Sequence, residues 1–337
     1  MLDIAKEEIL RKYLIQNNIF SDSDKLRIHY FPGGVSGTVA FASDGIKEVV
    51  IKQALPFLKV AAEWECDPSR MIIEQKALEV YSRLVPSSVP APISFDMDEL
   101  IMVREAAPES CVMWKAQLLE GLLDFRVAEK SIRTLLDIHN KTANDEAVRQ
   151  DFIDDSFFYK LRISPYIEVV VEKYPKLKEK SISVIDFLMN KKIALVHGDY
   201  SPKNLLVDGD KIFVLDLEVA HYGHPAFDMA FFSNHFLLKA IKNRAWSRSY
   251  LNMLSYMSNI YFSEVDCMDT ELLEKETVET LAFLLLARVD GKSPAEYITG
   301  DRDKELVRTA AFTILDEKMI RLSDVTACLE RLIQEEG

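Results

Sequence analysis

Residues 195–218 read LVHGDYSPKNLLVDGDKIFVLDLE, and this stretch decides the fold. Asp199 and Asn204 are separated by four residues, one compact loop. Leu205-Leu206-Val207 and Ile212-Phe213-Val214-Leu215 are apolar runs with strand propensity. Asp208-Gly209-Asp210 between them is a hairpin signal. A hairpin folds the second strand back on the first, so Asp216 is predicted to lie beside Asn204. One carboxylate at the loop, Asp199, can take or orient a hydroxyl proton. The oxygens of Asn204, Asp216 and Glu218 can share a magnesium ion. That ordered set suits phosphoryl transfer from a nucleotide, which asks a protein mainly for positioning and charge neutralisation.

The chain has 337 residues, enough for about two domains. Apolar residues make up 48%, and the formal net charge is −13. Such a chain does not bind nucleic acid or an anionic membrane by bulk attraction. The four cysteines, Cys66, Cys111, Cys267 and Cys328, form no CxxC pair, which argues against a disulfide framework or a zinc site. MLDIAKEEILRKYL at 1–14 is an amphipathic, mixed-charge helix pattern, unlike a signal peptide. No run approaches the ~18 apolar residues of a membrane span. The expectation is a soluble, reduced, cytoplasmic protein, with monomer and homodimer both open.

Upstream, strands are predicted over Lys25–Phe31, Val39–Ser43 and Glu48–Gln53. Between the first two lies Pro32-Gly33-Gly34-Val35-Ser36-Gly37-Thr38. Glycines there would let backbone amides approach phosphate closely, which makes Gly33, Gly34, Ser36 and Gly37 candidate nucleotide contacts. Lys52 sits inside an apolar strand and needs a carboxylate. Asp67-Pro68 reads as a helix start, with Pro86 limiting its far end. Met71, Glu74, Leu78 and Tyr81 share one face of that helix, so Glu74 is the predicted partner of Lys52. Glu79 stands four before Arg83, a surface-pair spacing. Strands at Ile93–Asp96 and Leu100–Val103 follow.

These motifs resemble the aminoglycoside phosphotransferase/choline kinase family, and within it the methylthioribose kinases. The likeness rests on VIKQALPFLKVAAEWECDPSRMIIEQKAL (50–78), HGDYSPKN (197–204) and DLEVAHYGHPAFDMA (216–230), with LRISPYI (161–167) in support. The resemblance implies an α+β, protein-kinase-like, two-lobed fold. Residues 1–104 would form a small antiparallel sheet lobe that binds the nucleotide. Residues 105–337 would form a mainly helical lobe for catalysis and the acceptor. It implies ATP and Mg2+ as cofactors and a small-molecule hydroxyl as acceptor, a sugar such as methylthioribose or a related compound. Lys52 would contact the α and β phosphates, held by Glu74. Backbone groups at Glu105 and Ala107 would meet adenine. Asp199 would be the catalytic carboxylate, with Asn204, Asp216 and Glu218 at the metal. Asp228 would brace the loop, and His197 would fix it.

The chain also departs from its relatives' patterns. It contains no Arg-Arg dipeptide, a pair the methylthioribose kinases use at the sugar site, and Asn204 is more like the wider family. Aminoglycosides and choline-like amino alcohols are alternative acceptors, and a catalytically silent nucleotide-binding module is a third reading. Ser201 stands where protein kinases carry a lysine, and only eleven residues separate Asp216 from Asp228, so a protein acceptor is disfavoured. Phe125–Thr142 has helical periodicity with His139 on its apolar face. A later helix is expected to stop at Gly291, with two more around Lys304–Glu317 and Ser323–Glu336. Arg288, Asp290, Lys292 and Tyr297 are candidate acceptor contacts, with Trp64, His221 and His224 as lesser ones.

Overall fold

The structure, a computed structural model, describes residues 2–31, 37–54 and 67–335. It divides into two compact units, Met1–Glu109 and Ser110–Gly337. The first holds a five-stranded sheet of β1 (Arg27–Tyr30), β2 (Gly37–Ser43), β3 (Glu48–Ala54), β4 (Pro92–Asp96) and β5 (Ile101–Glu105), ordered β1-β2-β3-β5-β4. All neighbours are antiparallel, and short turns join β2 to β3 and β4 to β5.

Alternation along these strands sorts the residues between two faces. Ala40 and Ala42, Val49 and Ile51, and Ile101 and Val103 face one way. The Glu7–Gln16 helix covers that face with Leu10, Tyr13 and Leu14, joined by Ile4, Ile19 and Phe20. Lys52, next to Ile51, must therefore point to the opposite face, between its cross-strand neighbours Val39 and Met102. There the Arg70–Leu84 helix packs against β3, β4 and β5. Its predicted inward stripe is buried at Met71, Glu74, Leu78 and Tyr81. The helix begins later than the Asp67-Pro68 reading, because Pro68 and Ser69 form a turn first. Asp67 caps that turn by accepting the Ser69 N–H at 2.9 Å. Glu79 accepts a hydrogen bond from Gln75 at 2.8 Å, a different i,i+4 neighbour from Arg83.

The second unit is mainly helical. Its long helices include Phe125–Thr142, Ala226–Lys242, Ser247–Glu264, Thr270–Asp290, Asp301–Asp316 and Leu322–Glu335. Every residue from Ala226 to Ile241 is buried, as expected of a helix apolar on all sides. The Thr270–Asp290 helix stops at Gly291 for a reason other than left-handed capping. Gly291 has φ −92°, and a Cβ there would stand 2.6 Å from the Ala287 carbonyl oxygen. Two small sheets complete the unit. One is β6 (Val112–Met113), β8 (Leu205–Asp208) and β9 (Lys211–Val214), and the other pairs β7 (Ala194–Val196) with β10 (His221–Gly223). Among the described residues no helix is long and apolar enough to cross a membrane.

His221 belongs to this packing. Its ring stacks on Phe158 at 4.0 Å, and its Nδ1 donates to the Val219 carbonyl at 3.1 Å. Burial pushes its pKa down from 6.5 to about 4. The unfolded chain therefore binds a proton that folded His221 refuses. Stability is fully present above pH 6.5 and is lost as pH falls toward about 4. The contribution is roughly 3 kcal/mol from this one group. Burial holds His197 and His235 in the same direction. Denaturant melts of the native chain and His221→Gln across this interval should show a shallower pH dependence in the variant. Parallel curves would remove His221 as a cause of acid sensitivity.

Candidate active site

The loop after β7 is held by its own backbone amides. Asp228, in the first turn of the Ala226–Lys242 helix, accepts the His197 N–H at 2.7 Å and the Gly198 N–H at 2.9 Å. A carboxylate in a first turn is also favoured by the helix dipole. Burial alone would raise the Asp228 pKa. The hydrogen bond from His139 Nε2 at 3.3 Å, the two histidines and the loop amide outweigh it, so the group stays ionised. His139 Nδ1 is bonded in turn to the Tyr261 hydroxyl at 2.7 Å, so His139 is a packed histidine that supports Asp228. Gly198 has φ +76°, and a Cβ there would stand 2.7 Å from the Val219 carbonyl oxygen. The position is closed to other residues on both counts.

His197 fixes the same loop. Its Nδ1 accepts the Asp199 N–H at 3.2 Å, so Nε2 carries the proton and donates to the Leu215 carbonyl at 3.2 Å. Asn204 Nδ2 donates to the Asp199 carbonyl at 3.0 Å, which leaves its Oδ1 as a free-facing acceptor. The Leu215 N–H donates to the Asn204 carbonyl at 2.9 Å. β8 and β9 pair from Leu205↔Val214 to Asp208↔Lys211, and Gly209 turns between them at φ +60°. The hairpin thus brings the Asp216 end of β9 to Asn204. Asp216 itself has φ +65°, a backbone strain of about 1–3 kcal/mol for a residue other than glycine. Glu218 is buried two residues on.

Asp199 is 3% exposed. Its Oδ2 meets Lys203 Nζ at 2.9 Å and Arg162 Nη2 at 3.0 Å. Its Oδ1 is buried with no hydrogen-bond partner among the described residues. Burial would raise the Asp199 pKa, but Lys203 and Arg162 overcome that and hold it below the usual carboxylate range. The sequence reading assigned neither cation. Arg162 lies on a π-helical turn, Tyr159–Glu168, interrupted by Pro165. Its Nε donates to the Gly198 carbonyl at 2.6 Å and its Nη1 to the Leu161 carbonyl at 2.7 Å. All three guanidinium nitrogens are therefore committed to the loop or its support. Ser201 stands at the position where a lysine was expected, and Lys203, two residues further on, reaches the carboxylate.

In the first unit, Lys52 Nζ lies 2.9 Å and 2.7 Å from the two Glu74 oxygens. The predicted pair is formed and buried. Gly37 opens β2, where a Cβ would stand 2.7 Å from the Gln53 carbonyl oxygen. Gly33, Gly34, Ser36 and Trp64 lie outside the described residues. The Glu105 N–H donates to the Ala91 carbonyl at 2.8 Å and the Ala106 N–H to Glu48 at 3.2 Å. The Ala107 amide has no partner among the described residues.

The remaining candidates separate by geometry. Asp290 is clasped by Arg308 at 2.8 and 2.9 Å, by the Tyr174 hydroxyl at 2.6 Å and by Lys173. That engagement makes it a fold clasp. Lys292 is exposed, and His224 is bonded to Glu276 at 2.7 Å. Arg288 and Tyr297 turn inward and are buried.

Comparison with known proteins identifies the family. The model of the phosphotransferase enzyme family (APH) matches residues 28–252. Methylthioribose kinase of Bacillus cereus (strain G9842) is 26% identical over 268 residues, covering 71% of this chain and 67% of that one. Among solved structures, Plasmodium vivax ethanolamine kinase covers 93% of this chain and 91% of its own, with TM-score 0.59 and 15% identity. Choline kinase from Cryptosporidium parvum Iowa II covers 95% and 99%, with TM-score 0.58 and 12% identity. An amicoumacin kinase solved with AMP-PNP, Ca2+ and Ami covers 94% and 97%, with TM-score 0.53 and 14% identity. The likeness to the solved structures establishes the protein-kinase-like fold. The matched span holds Asp199, its two cations and the bracing Asp228, and the chain belongs to the phosphotransferase enzyme family.

Proposed function

We propose that the protein transfers the γ-phosphoryl group of ATP, in the presence of Mg2+, to a hydroxyl of a small molecule. A sugar such as methylthioribose or a related compound is the acceptor class favoured by the sequence likeness. The observation that carries the reading is the Asp199 carboxylate. One oxygen is held by Arg162 and Lys203, and the other is buried with no hydrogen-bond partner among the described residues. That free oxygen accepts a hydrogen bond from the acceptor hydroxyl. As the hydroxyl oxygen bonds to the γ-phosphorus, its proton passes to Oδ1, the bond from phosphorus to the β-bridging oxygen breaks, and ADP leaves. The two cations hold the carboxylate in one orientation, and orientation is the larger part of this catalysis.

Asn204, Asp216 and Glu218 form an all-oxygen donor set, which fits a hard divalent cation. Bound magnesium would supply charge neutralisation at the phosphates. Lys52, held by Glu74, contacts the α and β phosphates, and the Glu105 carbonyl and Ala107 amide serve adenine. On this reading Met1–Glu109 is the nucleotide-binding unit, and Ser110–Gly337 carries catalysis and the acceptor. The intact set of lysine, catalytic carboxylate and metal carboxylates disfavours the silent-module alternative.

Asp199→Asn should lower kcat by roughly 10²–10⁴-fold, with MgATP affinity near the native value. Near-normal turnover in that variant would refute the assignment. Arg162→Lys keeps the charge but loses the fork that joins Gly198 to Asp199. Its kcat should fall by about tenfold or more, while KM for ATP changes little. A KM effect without a kcat effect would show that Arg162 does not position the carboxylate. Lys52→Met should weaken MgATP binding and also lower stability, because a buried ion pair loses its cation. Adding Glu74→Met should restore stability without restoring nucleotide affinity. Recovery of both in the double variant would make the pair purely structural.

A further inference from the structure

The helical unit contains a second concentration of buried polar groups that the chemistry above does not use. Asn234 is fully buried, and neither its Oδ1 nor its Nδ2 has a partner among the described residues. The same holds for His235 Nε2, Arg288 Nε and the Tyr297 hydroxyl. Each unpaired buried polar atom costs about 1–3 kcal/mol, so a fold does not collect several without use. Lys239 is also fully buried, and among the described residues its one side-chain hydrogen bond is a 3.4 Å contact to the His235 carbonyl. Its ammonium lies 5.2 Å from the centre of the Tyr297 ring, and that of Lys115 lies 5.9 Å from it.

The group is continuous with the catalytic loop. Arg162, which holds Asp199, lies 5.8 Å over the Phe231 ring, and that ring is 5.4 Å from His235. Phe231, His235 and Lys239 share one face of the Ala226–Lys242 helix at i, i+4 and i+8. The helical rise puts His235 roughly 6 Å and Lys239 roughly 12 Å beyond Phe231. The largest charges acting on His235 are cationic, from Lys239, Arg288, Lys203 and Lys115. Glu296, which acts on Lys239, is ion-paired with Lys115. In a chain of net charge −13, this is a local excess of positive charge in a buried place.

We propose that His235, Lys239, Arg288 and Tyr297 anchor the far end of the acceptor, and that the acceptor is a polyol bearing a carboxylate or a phosphate monoester. The inference rests on the kinase reading and narrows its substrate class. A fixed anion would satisfy the Arg288 and Lys239 donors, and a neighbouring hydroxyl would bond Tyr297. Polycationic aminoglycosides and amino alcohols would meet like charge instead. Burial and the neighbouring cations bring the Lys239 pKa down to about 7, a tension that an anion relieves.

The test compares a pentose, its aldonic acid and its 5-phosphate. Each is titrated calorimetrically into nucleotide-free protein and assayed for ATP-dependent ADP release. At least one anionic form should bind or turn over roughly 10- to 100-fold better than the pentose, and the preferred form distinguishes carboxylate from phosphate. Lys239→Met should lose most of that preference while melting at or above the native temperature, since it removes a buried charge. Equal or better use of the neutral pentose, binding of none of the three, or an unchanged preference in a less stable Lys239→Met would overturn the inference. MgATP binding on the same preparations judges the kinase reading separately. Intact MgATP binding with no anion preference would sink only the anion anchor.

Discussion

The second unit's chemistry depends on one carboxylate accepting two consecutive backbone amides. Asp228 holds the His197 and Gly198 N–H groups, and the turn they define has room only for glycine. Asp199 follows directly, with its own N–H bonded to the His197 ring. The Asp199 backbone is therefore fixed by the same turn. His139 and Tyr261 extend the support from two other helices, so the loop is held by the packed interior. Catalysis by positioning needs that rigidity before the substrate binds.

Holding the side chain is a separate task. A buried carboxylate would take up a proton without compensating charge. Lys203 and Arg162 provide it on one oxygen and leave the other free. The guanidinium also grips the Gly198 carbonyl, so one side chain fixes both the loop and the carboxylate. A lysine in place of Arg162 could supply the charge alone. The planar fork joins the two, which is why arginine suits the position.

Much of this was legible in the sequence, and the limits have physical causes. Strand alternation and helical periodicity placed Lys52 and Glu74 correctly, because both periods are set by backbone geometry. The Gly209 hairpin brought Asn204 to the end of β9 for the same reason. Arg162 was not assigned a role because it reaches the loop from a π-helical turn 37 positions upstream of Asp199, which no local period encodes. Lys203 was passed over because the expected lysine position is two residues after Asp199, and a short loop lets a lysine from i+4 meet the same oxygen. Asp290 looked like an acceptor contact from its neighbours in sequence. Arg308, Lys173 and Tyr174 occupy it from elsewhere in the chain.

The polar residues of the Ala226–Lys242 helix carried a signal that periodicity alone does not weigh. Asn234, His235 and Lys239 lie in a mostly apolar helix that is buried from Ala226 to Ile241, as do Asp228 and Ser233. Helix-forming tendency tolerates them, but the interior does not, unless something bonds them. Apolar side chains of similar size would pack there with less electrostatic cost, as they do at Phe232 and Leu238. The presence of His235 and Lys239 near Arg288 and Tyr297 is thus a stability cost concentrated in one place. In this fold that place is linked to Asp199 through Arg162 and Phe231. On the proposed reading the cost serves recognition, and the local cations suit an anion.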